Sequence, residues 1–357
     1  MTSPVPCARM KTGTMRTTSR RRFLNDCVAW AGGFLAFPTQ TSLPGKSTMM
    51  SDRSGATYPS YLSLSEDGSL EKRAKELKDI YTNCTLCPRD CRVDRTRKQL
   101  GKCRAAGTLK ISSAFPHFGE ERPLVGQKGS GTIFLSHCGL RCLYCQNYTL
   151  SMDGEGIGVP DERAAEAMLK LQGMGCHNIN WVTPTHYLPS LINGLKLAVP
   201  LGLKLPIVYN TSGYERPEIL AKLDGIVDIY LPDFKYWDPE MAGKYSSEAY
   251  SYPHYARLAF KEMFRQVGDL EVDGRGTARR GLMVRHLVLP NRVAGTREIL
   301  KFIAEELSRT TYINVMRQYR PEYRAREFEE IDRRLTGAEY AEALGWAREF
   351  GLTNLDR

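Results

Sequence analysis

"GTIFLSHCGLRCLYCQNY", residues 131–148, joins a short apolar run to a loop that holds three cysteines within eight residues. The run at 132–136 reads as a buried strand and is the first of six, the others lying at 178–183, 206–210, 227–231, 283–289 and 312–316. Amphipathic stretches with helical spacing fall between them, at 162–174, 187–199, 215–223, 255–266 and 296–308. Strands that alternate with helices form a parallel sheet, so the expected fold is α/β, a partial (β/α)6 TIM-like barrel. Reactive groups in such folds sit in loops at the carboxyl ends of strands, and the cysteine loop starting at His137 is placed there.

The spacing C-x3-C-x2-C lets Cys138, Cys142 and Cys145 converge from one loop, and thiolates select zinc or iron–sulfur clusters. A structural zinc site is closed by four protein ligands, whereas only three cysteines are local here. His137 offers a fourth and would make a Cys3His zinc site. The sharper reading is a four-iron (4Fe-4S) cluster held by three cysteines, with one iron open to a substrate or cofactor.

With Tyr144 just before the last cysteine, the motif resembles the signature of the radical S-adenosylmethionine superfamily. The resemblance implies that the open iron chelates the amino and carboxylate groups of S-adenosylmethionine, with Tyr144 near the adenine. One electron from the cluster then cleaves the sulfonium, giving a 5′-deoxyadenosyl radical that abstracts hydrogen from substrate. It also implies a reductant partner such as flavodoxin or ferredoxin. "DIYLPDFKYWDPEMAGKYS" resembles the Asp-x-Lys strand end of glycyl-radical-enzyme activases and singles out Asp233 and Lys235. "NTSGY" with Asn210 and "VRHLVLPN" with Arg285 resemble further strand ends that hold the cofactor's ribose and carboxylate. Where the superfamily carries Gly-Gly-Glu after the second strand, this chain reads "TPTH", which leaves Thr183, Thr185 and backbone carbonyls for the amino group and His186 as a packed or substrate-facing residue. The arrangement is most similar to putative pyruvate formate-lyase activating proteins. The implied substrate is a protein glycine, with a small molecule as the alternative.

"CTLCPRDCRVDRTRKQLGKC" carries Cys84, Cys87, Cys91 and Cys103, four thiols that can close a tetrahedral zinc site or hold an auxiliary iron–sulfur cluster. Its spacing differs from the ferredoxin-type insert of many activases. The interleaved Arg89, Arg92, Arg95, Arg97 and Lys98 lack interleaved aromatics and read as a solvated face, not a nucleic-acid knuckle. Cys7, Cys27 and Cys176 stand apart as ordinary thiols.

Net charge is +10, but the first 48 residues hold seven Lys or Arg against one acid, and the rest of the chain carries only +4. No nucleic-acid partner is expected from that balance. "SRRRFL", from Ser19, resembles a twin-arginine export signal, and the apolar run behind it is too short to anchor in a membrane. Met49 and Met50 offer an internal start, which would make the protein cytoplasmic. The expected organisation is a disordered or removed stretch at 1–60, a Cys-rich metal-binding module at 61–128, the barrel at 129–320 and a C-terminal helical extension at 321–357. A non-enzymatic zinc or nucleic-acid-binding protein is the rival from another class.

Overall fold

A computed structural model describes residues 58–356, and the twin-arginine stretch, Cys7 and Cys27 lie outside them. Nine strands form one sheet: β1 (Leu109–His117), β2 (Ser130–Leu135), β3 (Ile157–Val159), β4 (Ile179–Val182), β5 (Ile207–Thr211), β6 (Ile229–Pro232), β7 (Glu271–Val272), β8 (Ala278–Leu287) and β9 (Tyr312–Met316). Six of them, β2, β4, β5, β6, β8 and β9, lie side by side in chain order and pair parallel. These are the six strands expected from the apolar runs, with β8 starting five residues earlier, at Ala278.

Three strands were not expected, and all three pair antiparallel. β1 pairs with β2 and β3, and β7 pairs with β8. β1 hides because "LKISSAFPH" breaks apolar alternation with two serines and a proline. β3 pairs only Leu109, Lys110 and Ile111 of β1, so Pro116 lies where β1 has a free edge and its missing N–H breaks no ladder.

Side chains alternate across the sheet with period two. Val208, Ile229, Leu231, Met283 and Tyr312 share one face and, with Leu124 and Ala278, fill the interior of the curl. Their neighbours Ile207, Tyr209 and Tyr230 face outward into the main core with Ile179 and Trp181. Helices α1 (Ser69–Asp79), α2 (Glu162–Gly173), α3 (Leu188–Ala198), α4 (Tyr252–Val267), α5 (Thr296–Phe302) and α6 (Gly337–Glu349) accompany the strands. In α2, Ala164, Ala165, Met168 and Leu171 form the buried stripe that 3.6-residue spacing dictates. α3 packs against both α1 and α2 and buries Leu188, Leu191, Ile192 and Leu195. Each such aliphatic side chain contributes roughly 1.5–3 kcal/mol on burial. α6 starts with a capping box, in which Thr336 accepts from Glu339 N and the Glu339 carboxylate accepts from Thr336 N.

Moving up the parallel strands, the interior face changes from apolar to polar. Asn210, Asp233 and Arg285 form a hydrogen-bonded set above Val208, Ile229 and Met283. Tyr58 and Ser60, which precede a short helix at Tyr61–Glu66, close the opposite end. The Tyr58 hydroxyl donates to Arg279 O, and Ser60 donates from N and Oγ to buried Asp228 at the foot of β6. No helix among the described residues is long and apolar enough to cross a membrane.

Candidate functional site

The loop after β2 has a backbone that ordinary residues adopt only under constraint. His137 and Arg141 both have left-handed φ, at 72° and 58°. The constraint comes from the surroundings: His137 N donates to Leu150 O, Leu143 N to Tyr245 O, and Arg324 N to Leu143 O. Cys142 is buried, with Cys138 and Cys145 half-buried. Ser246 Oγ donates to Cys142 Sγ and Ser151 Oγ to Cys145 Sγ, each at 3.1 Å. Burial raises the pKa of all three thiols, and the Lys235 ammonium opposes that rise at each. Tyr144 is buried edge-on to Tyr236 and Tyr319, with centroids 6.2 and 5.8 Å away.

The expected strand-end residues come together beside this loop. Asp233 accepts from Lys235 Nζ at 2.9 Å and from Arg285 Nε at 2.8 Å, and Arg285 donates onward to Asn210 Oδ1 at 2.6 Å. Burial pushes the Asp233 carboxyl up, but Arg285 and Lys235 outweigh it and hold it below the usual carboxylate range. Lys235 loses charge stability to burial and regains more from Asp233, so its pKa is raised. Tyr252 fixes the backbone here: its hydroxyl accepts from Lys235 N and lies 3.0 Å from Asp233 O.

"TPTH" behaves differently. Thr183 has a left-handed φ of 60°, and its N donates to Asn210 O. The Thr185 hydroxyl donates to Glu215 Oε1 at 2.6 Å, which commits it away from the Asp233 group. Glu215 is fully buried, also accepts from Thr211, and is pushed by burial to a pKa of about 7. His186 is a packed residue, paired through Nε2 with Ser136 O at 2.8 Å and held by burial at a pKa of about 3.

Several polar groups here carry no signature that spacing could reveal. Glu120 and Glu121, from the β1–β2 connection, reach Arg285 NH1 at 3.4 Å and Asn314 Nδ2 at 3.0 Å. Glu121 Oε2 has no partner, and neither amide atom of buried Asn180 has one. Asn180 is in register with Thr132 and Val208 and so shares the interior face. Ser151 and Ser246 were missed as well, although Ser151 lies only six residues past Cys145.

The four-cysteine segment packs against the three-cysteine loop. Arg89 donates to Gly139 O, Leu140 O, Ser246 O and Ser247 O. Arg95 is 2% exposed and donates to Cys84 Sγ at 2.9 Å, Cys103 Sγ at 3.2 Å and Ala105 O at 2.8 Å. The expected solvated basic face is therefore corrected for these two residues: their guanidiniums are structural and inward, because thiols and carbonyls supply acceptors that water would otherwise provide.

Among the described residues no three His, Cys, Asp or Glu side chains converge tightly enough to hold a metal ion. The donor set of the three-cysteine loop does fit an anionic, thiolate-bound group. One buried and two half-buried thiols rise from one loop, two of them accept hydroxyl hydrogen bonds, and the Lys235 ammonium favours the thiolate of all three.

No protein-family model matches the sequence. The fold is similar, at a TM-score of 0.40 and 17% identity, to the crystal structure of methylornithine synthase (PylB), over 62% of this chain and 68% of that one. In sequence, the chain is 33% identical over 292 residues to the uncharacterized protein MJ0674 of Methanocaldococcus jannaschii, a match that spans 79% of each chain. The chain belongs to the family of MJ0674.

Proposed function

We propose that the protein is a radical S-adenosylmethionine enzyme. The observation that carries the reading is the position of Cys138, Cys142 and Cys145, three thiols from one loop, at the carboxyl end of the first parallel strand beside a half-buried Asp233–Lys235–Arg285 group. A four-iron cluster with S-adenosylmethionine on its open iron supplies, when bound, reductive C–S cleavage and a radical that abstracts hydrogen. The chain's own part is to hold and insulate. Cys138, Cys142 and Cys145 are the cluster ligands, with Ser246 and Ser151 steadying two of the sulfurs and Lys235 offsetting thiolate charge. Tyr144, walled by Tyr236 and Tyr319, keeps water from that side. Asn210, Asp233 and Arg285 form a prearranged polar rim for the cofactor's ribose and carboxylate, and Thr183 lies at the adjoining strand end.

For the substrate, a protein glycine rests on the resemblance to glycyl-radical-enzyme activases alone. A small polar molecule is favoured by the unpartnered Asn180 amide and Glu121 oxygen on or beside the interior face, since buried polar groups without partners are satisfied by a ligand or water. The test is anaerobic reconstitution with iron and sulfide, reduction, and assay for 5′-deoxyadenosine from S-adenosylmethionine. Wild type should release it and Cys142→Ala should not. Release from neither would remove the enzymatic reading in favour of a non-enzymatic metal protein.

A further inference from the structure

Arg95 poses a physical problem. A guanidinium keeps its charge at any pH a protein meets, and burying it without compensating negative charge costs several kcal/mol. At 2% exposure, its partners are two cysteine sulfurs, one backbone carbonyl and the face of Tyr81, and none is a carboxylate. Neutral thiols are weak acceptors and offer no charge. Thiolates do, but four thiolates together repel one another unless a cation binds them. Four thiolates on a divalent ion still carry a net double negative charge, and a buried guanidinium that donates N–H to sulfur offsets part of it. Cys91 belongs to the same group: its sulfur accepts from Lys102 N at 3.2 Å, and a methyl group on Gly101 would touch both that sulfur and Arg95. Cys87 extends the group toward the other loop, with its sulfur 3.8 Å from where a Cβ on Gly139 would lie.

We propose that Cys84, Cys87, Cys91 and Cys103 bind a metal centre as thiolates, that Arg95 is its built-in counter-cation, and that the centre fixes the turn from which Arg89 clamps the three-cysteine loop. Two of the sulfurs accept from one side of the guanidinium and the four do not converge on one point, so either a cluster spreads them or a single ion draws them in. Both present a cationic core to the thiolates and carry net negative charge once bound. Arg89 spans two backbone carbonyls of the cysteine loop and two at Ser246 and Ser247, next to the hydroxyl that bonds Cys142. Metal at one group thereby sets the geometry of the other.

The test uses the full-length chain with Cys138, Cys142 and Cys145 all replaced by Ser, so that bound metal reports on the four-cysteine group whatever the three-cysteine loop does. Zinc, iron and sulfide are counted after anaerobic purification, with circular dichroism to confirm folding. Retention of one centre per chain is expected, as zinc alone or as iron with sulfide, and its loss in Cys84→Ser. Arg95→Met in the same background should give up its metal to a chelator about 10–100-fold more readily, with Arg95→Lys between the two. A folded chain without metal, or an Arg95→Met variant that holds metal as tightly as its parent while melting lower, would overturn the proposal. Should the triple variant fail to fold, the comparison moves to wild type against Cys84→Ser, where loss of one of two centres is expected and an unchanged metal count overturns it.

Discussion

Asp233 is the residue on which the strand-end charges balance. It is bonded to both Lys235 and Arg285, and its removal takes the shared carboxylate from Lys235 and leaves Arg285 with the longer Glu120 contact in a half-buried site. Asp233→Ala should therefore destabilise the fold by roughly 3–5 kcal/mol, the usual effect of breaking a buried pair from one side, as urea unfolding would show. A loss below about 1 kcal/mol would mean that the three charges are solvated in solution. Ser246 acts more gently. Its hydroxyl hydrogen bond draws electron density from Cys142 sulfur, and Ser246→Ala should move the reduction potential of the reconstituted cluster to a more negative value, read by redox titration. An unmoved potential would detach Ser246 from the cluster. Residues that carry a chemical signature by type and spacing, such as the three cysteines, were legible in the sequence. Glu120, Glu121, Asn180 and Glu215 were not, because their role comes from positions that only the folded sheet and its connections bring together.

At the scale of elements, the six parallel strands were legible because each is a continuous apolar run bounded by turn residues, the pattern of a strand buried on both faces. β1 and β3 were not, since Ser112, Ser113 and Pro116 mask the first and three residues are too few for the second. The strand feet carry a pH signature of their own. Asp228 sits fully buried between β5 and β6, and burial raises its pKa to about 6 from 3.8. The folded state thus holds a proton that the unfolded chain releases near pH 4, so this group's contribution to stability is complete below pH 4 and declines as pH rises through about 6. Asp228→Asn should flatten that part of the stability–pH curve between pH 4 and 6, even if it lowers stability overall through imperfect pairing with Ser60. An unchanged slope would place the titration elsewhere.

The whole molecule ties two cysteine groups, one curled sheet and a polar interior into one device. The parallel strands deliver Asn210, Asp233 and Arg285 to the same end, and the β2 loop brings the three cysteines beside them. Tertiary placement turned two residues of the basic run after Cys87, Arg89 and Arg95, inward as a scaffold and left Arg92, Arg97 and Lys98 on the exposed face, a division that composition could not show. On the proposed reading, three cysteines leave one iron free for S-adenosylmethionine. Electron paramagnetic resonance on the anaerobically reconstituted, dithionite-reduced protein decides this. A four-iron cluster signal that changes line shape when S-adenosylmethionine is added, and that is absent in Cys142→Ala, is the expected result. A cluster signal that S-adenosylmethionine leaves unmoved, or no cluster signal at all, would contradict it.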